Sequence, residues 1–312
     1  MRFPAKRGQR GVALVIAMLV VALAVLLVTA LLDAGELTQA RVRNGWRAEQ
    51  SRQLLGGLEA WAGAGLLADQ QASGAVDGLG EAWARPMPPI DLPGAHIDGR
   101  LRDLGGCFNV NALAPGGITD PAALRRFTRL LRALQLPREL AAQAADYIDV
   151  DTNTQDGGAE DGAYPAARTA NTALLDAGEL QRLPAMTTAA WQALAPLLCA
   201  VPVDQRLNLN TAPALLWLTL DDAITPAIAQ RLARGDTAMY PDLAAVQVAL
   251  QREGVQGVNL ATCDVGSHYF LAQAQIVADG ISFRYTSVLQ RLPDAVRVIA
   301  RARGGTQEES HT

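Results

Sequence analysis

Arg10-Gly11-Val12-Ala13-Leu14-Val15-Ile16 opens a run of apolar residues that reaches Leu32 without one charged side chain. At a rise of 1.5 Å per residue, Val12 to Leu32 extends about 30 Å, the thickness of a bilayer's hydrocarbon core. Arg2, Lys6, Arg7 and Arg10 stand before the run, and Asp33 and Glu36 are the first charges after it. The positive-inside rule therefore predicts a single-pass membrane protein, with its N-terminus in the cytoplasm and residues 33–312 across the membrane. A cleaved secretory signal would have a shorter apolar core and a small-residue cleavage site, and Leu31-Leu32-Asp33 offers no such site. A plain signal anchor satisfies the same physics.

The rest of the composition narrows the class. The chain has 312 residues, 50% hydrophobic and 19% charged, with a net charge of −4. That is enough for about two domains' worth of core, and it excludes a disordered or collagen-like chain. Lys6 is the only lysine. The mild acidity argues against a nucleic-acid binder, which needs a clustered basic surface. No H-E-x-x-H, Walker A or G-x-S-x-G pattern is present, so the sequence does not read as an enzyme.

Beyond the apolar run, Leu54, Leu58, Trp61 and Leu66 keep a helical spacing that predicts a long amphipathic stem. Residues 73–95 are rich in Gly and Pro and read as loop. His96 to Leu104 reads as a short strand, and Pro121–Leu134, Arg138–Ile148, Leu174–Leu183 and Thr187–Leu198 as helices. Two apolar runs, His268–Val277 and Ile281–Leu289, flank Asp279-Gly280, a hairpin signal. Cys107-Phe-Asn-Val-Asn111 is echoed by Arg206-Leu-Asn-Leu-Asn210. Each Asn can cap a following helix, so the echo reads either as two independent caps or as a duplicated helical module.

The strongest site-like stretch runs from Asp149 to Asp161. Asp149, Asp151 and Asn153 fall at positions 1, 3 and 5 and Glu160 at position 12, the oxygen spacing by which an EF-hand loop wraps Ca²⁺. Asp156 and Asp161 add carboxylates, and Asp176 or Glu179 could assist. Thr154 stands where that motif wants Gly, so a calcium loop of another shape is expected; a solvated acidic loop is the alternative. The segment Asn208 to Arg234 resembles helix-hairpin-helix modules of DNA-binding proteins. Its turn carries Asp221 and Asp222 and no glycine, which would repel a phosphate, so no nucleic-acid partner is expected. Cys107, Cys199 and Cys263 allow one disulfide in three pairings. Cys199 precedes the second helical module and Cys263 ends it, so Cys199–Cys263 is the expected bridge.

As a set, these motifs resemble the minor pseudopilins of bacterial type II secretion, the general secretion pathway protein K family. Arg10-Gly11-Val12 is similar to the site cut by prepilin peptidase, which implies cleavage after Gly11 and N-methylation of Val12. Ile16 occupies the fifth mature position, where most pilins and pseudopilins carry glutamate; its absence suits a subunit with no neighbour above it. Asp103-Leu-Gly-Gly-Cys-Phe-Asn-Val-Asn111, Asp146-Tyr-Ile-Asp149, Gly157-Gly-Ala-Glu-Asp161 and Leu207-Asn-Leu-Asn-Thr-Ala-Pro213 carry the rest of the resemblance.

It implies an α+β, pilin-like fold: a long N-terminal transmembrane helix on a small antiparallel sheet, with a large inserted all-helical domain. The implied organisation is a leader (1–11), a membrane helix (12–32), stem and first strands (33–103), a helical insertion with the calcium loop (104–205), a second helical module (206–262), terminal strands (263–300) and a flexible tail (301–312). The implied role is that of an inner-membrane protein at the pseudopilus tip, with the bulk of its chain periplasmic, which helps initiate pseudopilus assembly and export folded proteins from the periplasm through the outer membrane. The implied partners are minor pseudopilins I, J and H, the major pseudopilin, the inner-membrane assembly platform and prepilin peptidase, with Ca²⁺ as cofactor. A minor pilin of a type IV pilus and a membrane-anchored DNA-uptake protein are the alternatives.

Overall fold

The computed structural model describes residues 10–304, apart from 165–167, 234 and 236–238. Helix α1 (Arg10–Ser73) is 64 residues long, about 96 Å at 1.5 Å per residue. It contains no proline. Its first part, Ala13–Leu32, is long and apolar enough to cross a membrane and is unburied throughout. Thr29, the polar residue of that part, donates its hydroxyl to the Val25 carbonyl at 3.1 Å, which satisfies it inside lipid.

The lower face of the stem is buried at Leu55, Leu58, Ala62 and Leu66. This differs by one position from the sequence reading: Trp61, expected in the stripe, is 54% exposed. After α1 the chain forms β1 (Ile90–Leu92) and β2 (Ala95–Asp103). It then leaves the sheet for an insertion of β3 (Phe108–Asn109), α2 (Pro121–Ala133), α3 (Glu139–Ile148), α4 (Thr188–Leu194) and β4 (Leu198–Cys199). A second set follows: β5 (Leu207–Asn208), α5 (Ala214–Trp217), α6 (Pro226–Leu232), α7 (Leu243–Arg252) and β6 (Cys263–Asp264). The chain returns through β7 (Tyr269–Ala278), β8 (Ile281–Arg291) and β9 (Val296–Arg303).

The main sheet has the order β1-β2-β7-β8-β9 and is antiparallel throughout. As the Asp279-Gly280 pair predicts, β7 and β8 form a hairpin whose two turn residues have φ of 46° and 78°. Three features anchor the sheet to α1. Ser51 and the Tyr285 hydroxyl lie 2.7 Å apart, Ser287 donates to Glu59 at 2.6 Å, and Arg301 holds the same carboxylate through two bonds of 2.7 Å. Burial pushes the Glu59 carboxyl up, but Arg301 and Ser287 outweigh it and leave it below its ordinary value. The start of the expected flexible tail is thus strand: Arg301 to Arg303 belong to β9, while residues 305–312 lie outside the described residues.

The two halves of the insertion share one hydrophobic core, running from Phe108 to Val265, instead of forming two separate modules. They are nevertheless built alike. Each opens on a short strand that pairs in parallel with the strand that closes it, β3 with β4 and β5 with β6. In each, the first Asn of Asn-x-Asn accepts from the backbone N–H of the second. The second Asn then ties a distant loop down. Asn111 accepts from Leu174 N–H and donates to the Leu174 and Val201 carbonyls; Asn210 accepts from Tyr240 N–H and donates to the Tyr240 and Val265 carbonyls. The matching bond patterns favour the duplicated-module reading over two unrelated caps.

The disulfide expectation is corrected. Cys107 and Cys199 are joined, with Cα atoms 5.8 Å apart, and Cys263 is free and fully buried. The parallel pairing sets Asn109 opposite Cys199 and so brings Cys107, two residues earlier, within bridging reach. Cys263 instead lies opposite Leu207, inside the second half.

A buried polar joint fixes the insertion to the body. The Asp103 carboxylate, at the end of β2, accepts from Gly105 N–H, the Asn208 amide and the Thr211 hydroxyl. Beside it, Arg291 of β8 donates to Asp77 at 2.5 Å and to the Ser267 carbonyl at 2.8 Å. Burial pushes the Asp103 and Asp77 carboxyls up, against the pull of these donors.

Candidate functional site

The acidic loop begins where α3 ends. Asp149 is the C-cap of that helix, and its backbone N–H still bonds Ala145. Its side chain therefore leaves the helix at a fixed angle, with one oxygen accepting from the Thr119 hydroxyl at 2.8 Å. Asp151 accepts from the Asn153 N–H at 2.7 Å, a local turn that folds the chain back. The positive φ expected at position 6 falls instead at Gly157, with φ 78°. The loop is thus shaped by a later glycine, and Glu160 comes round to meet the two aspartates. Asp149, Asp151 and Glu160 each present an oxygen within 4.8 Å of the others.

This arrangement is short of positive partners. Both Glu160 oxygens and Asp149 Oδ1 are buried without a hydrogen-bond partner, and so is Oδ1 of Asp146, a residue of α3 not named among the expected ligands. The other Asp146 oxygen accepts from Gln155 N–H at 3.2 Å, and any side chain at Gly158 would overlap the carboxylate. Burial pushes the Glu160 carboxyl up first, and the nearby Asp146, Asp149 and Asp151 carboxylates push it further. Asp146 and Asp149 are raised for the same two reasons. Orphaned buried oxygens of this kind are costly unless a cation or proton satisfies them. With oxygen-only donors and no His or Cys, the set fits a hard cation.

Not every expected ligand joins the cluster. Asp161 turns away to cap Thr169, accepting its N–H at 2.9 Å and its hydroxyl at 2.8 Å, and these bonds lower its pKa. Asp176 and Glu179 form a capping box on the short 3-10 helix Ala177–Arg182. Asp156 lies exposed outside the three-carboxylate cluster, and Asn153 is exposed next to it in the turn that its N–H closes on Asp151. Asp146 was legible in principle: it is one helical turn before Asp149 on α3, so both face the same way.

A second acidic cluster, Asp69, Asp77 and Glu81, serves as a contrast. There the Arg291 guanidinium already supplies the cation, 2.5 Å from Asp77 and 3.9 Å from Asp69. At the α5–α6 turn, Arg129 and Arg132 hold Asp222, and their bonds lower its carboxyl to about 2. A neutralised carboxylate thus occupies the place where a DNA-binding module offers backbone N–H groups. Ile16 is 54% exposed on the outer surface of α1. Gly11 and Val12 lie in the first turn of α1, where side chains are outside the described residues.

Comparison with known proteins is consistent along the chain. A family model described as type II secretion system protein K matches residues 106–203, the first half of the insertion. Type II secretion system protein K of Pseudomonas aeruginosa is 34% identical, over 96% of this chain and 94% of that one. The protein of the same name from Pectobacterium carotovorum is 27% identical, over 95% and 97%. Among solved structures, a chain of the GspK-GspI-GspJ complex from enterotoxigenic Escherichia coli has the same fold, with a TM-score of 0.74 at 24% identity. It matches 85% of this chain and all of that one.

Proposed function

This chain belongs to the type II secretion system protein K family, and from that membership we propose that it is the minor pseudopilin that caps the pseudopilus tip. The observation that carries the reading is where the insertion leaves the sheet. Arg47 of α1 reaches Asp279 at the β7–β8 turn, whereas Asp69, farther up α1, lies near Arg291 at the opposite end of the sheet. The insertion departs from that second end, between Asp103 and Tyr269, on the side away from the apolar segment. A subunit stacked above would meet this bulk, and Ile16 offers no carboxylate to a neighbour's N-terminal amine. Both features suit a terminal position.

On this reading the N-terminus is cytoplasmic, prepilin peptidase cuts after Gly11, and Val12 is the methylated mature N-terminus. The chain joins pseudopilins I and J, the partners in the solved complex, with H and the major pseudopilin below them and the inner-membrane platform driving assembly. Pseudopilus initiation and export of folded periplasmic proteins follow from that place. Asp149, Asp151 and Glu160 hold Ca²⁺, with Asp146 adjacent; the ion neutralises their repulsion and locks the loop. The test is overproduction together with the major pseudopilin. Shortened or absent pseudopili, with immunogold label only at filament ends, are expected. Label along the shaft would overturn the tip assignment, and an intact Met1 by mass spectrometry would remove the processing step.

A further inference from the structure

His96 lies near the start of β2, at the end of the sheet where the β7–β8 turn reaches Arg47. Ile97 packs into the core with Leu55, so His96 stands on the face of the sheet away from α1. Both of its ring nitrogens are engaged. Nδ1 is 2.6 Å from an Asp91 carboxylate oxygen on β1, and Nε2 is 3.0 Å from Asp98 on β2. An ionised carboxylate only accepts, so each contact needs an N–H on the ring, and only the imidazolium carries two. The Asp91 hydrogen bond, and with it the Asp98 charge, hold the imidazole above its ordinary pKa despite some loss of hydration. Strand β1 has little else to keep it in place. Met87 is tied by its N–H to the Gly99 carbonyl and Ala95 is buried, but every residue between them, Pro88 to Gly94, is exposed. Three residue pairs join β1 to β2, and β1 is the edge of the sheet. A strand that buries so little side chain opens at low cost, so the charges decide how firmly it stays paired.

We propose that His96 is a pH-sensitive latch, whose doubly protonated ring pins β1 to β2 and whose loss of one proton loosens the edge segment Pro88–Gly94. The neutral ring keeps one N–H and gains one lone pair. Whichever nitrogen is bare then faces a carboxylate oxygen, lone pair against lone pair, and that bridge opens. The surviving bridge loses its charge pairing. No other charged group is set against the ring among the described residues. Its partner on β7 is Val277, and the row of Asp98 continues through Gln275 to Arg284 of β8, one strand further away. Arg100, two residues beyond Asp98, donates to Gln273. Asp279, whose N–H bonds the Gly94 carbonyl, is engaged by Arg47. Because the folded pKa is raised, the latch is complete below the ordinary histidine value and is lost as pH rises through the raised one. The opened form bares the backbone edge of β2 from Ala95 to Ile97.

The test is hydrogen exchange of the full chain in detergent, read by mass spectrometry at fixed calcium between about pH 5.5 and 8.5, a range that brackets histidine titration. Rates are corrected for the intrinsic pH dependence of amide exchange. The peptide covering Ile90 to Gly94 should lose protection about two- to fivefold as pH rises, the size expected of exposed charge pairs, while β7 keeps its protection. His96→Gln keeps one donor but cannot titrate, so its β1 should be weakly protected at every pH. Asp91→Asn should shrink the response, because an amide can donate to a bare ring nitrogen or accept from its N–H. The His96 ring protons should titrate above the ordinary histidine value by NMR. Wild-type β1 protection that does not change with pH, or is absent at every pH, would overturn the latch. So would a pH response that survives in His96→Gln.

Discussion

Asn111 and Asn210 stand in corresponding places of the two half-insertions and make the same three bonds, each to the N–H and C=O of one loop residue and to a carbonyl just after a closing strand. Both are buried, so each amide helps satisfy backbone groups that water cannot reach. The Leu174 bonds fix the chain thirteen residues beyond Asp161, where the acidic loop ends.

Replacing either Asn with Ala should destabilise the protein by about 2–4 kcal/mol, since buried donors and acceptors are left unmatched. Urea unfolding checks this.

Reduction of Cys107–Cys199 frees a loop spanned by a sequence separation of 92. In the loop-entropy model such a link contributes about 4–5 kcal/mol. Cys107→Ser should therefore lower the melting temperature under non-reducing conditions and abolish its dependence on reductant. Alkylation of the native protein should leave Cys263 unlabelled, and labelling after unfolding without reductant should add one group. Two or three labelled thiols would contradict the bridge.

Calcium should raise the melting temperature by mass action on the folded state, and chelator should lower it. Asp149→Asn, Asp151→Asn and Glu160→Gln should each reduce the shift. The pH dependence should differ between the two forms. Glu160, Asp146 and Asp149 have raised pKa values without the ion, so their folded state prefers the proton. The metal-free protein therefore gains stability from them as pH falls through the raised values and loses it as pH rises. The calcium-dependent increment should run the other way and fade in acid, since the ion needs ionised ligands. Differential scanning calorimetry between pH 4 and 8 with and without calcium separates the two.

Arg301→Ala should leave Glu59 buried with Ser287 alone. The Arg301 side chain is 58% exposed, so solvent screens the pair and the expected cost is about 1–2 kcal/mol, below that of a fully buried pair. The wild-type Glu59 has a lowered pKa; its contribution is present above the unfolded value and is lost as pH falls through the folded one. The difference between variant and wild type should accordingly shrink in acid.

Much of the fold was legible because it rests on local patterns. The uncharged run from Val12, the Asp120-Pro121 start of α2 and the Asp279-Gly280 hairpin each encode their element over a few residues. The carboxylates of the site were legible for the same reason. The failures concern pairing across long separations. Strands β3 to β6 have two residues each, too short for any periodicity, yet their pairing decides that Cys107 is the partner of Cys199. Trp61 shows the limit of spacing arguments in another way. It stands one residue before the buried Ala62, about 100° round the helix, and that offset turns it off the buried face.

The continuity of α1 has a mechanical consequence. A single helix runs from the membrane-crossing segment to Ser73, and the sheet grips it at Ser51 and Glu59 before the insertion is held through Asp77 and Arg291. Force applied along the helix at the membrane would pass through that chain of short contacts to the far end, with no slack segment to absorb it. A displacement of the helix's lower end along its own axis therefore lifts the insertion by an equal distance, as a rod moves the weight fixed to its far end.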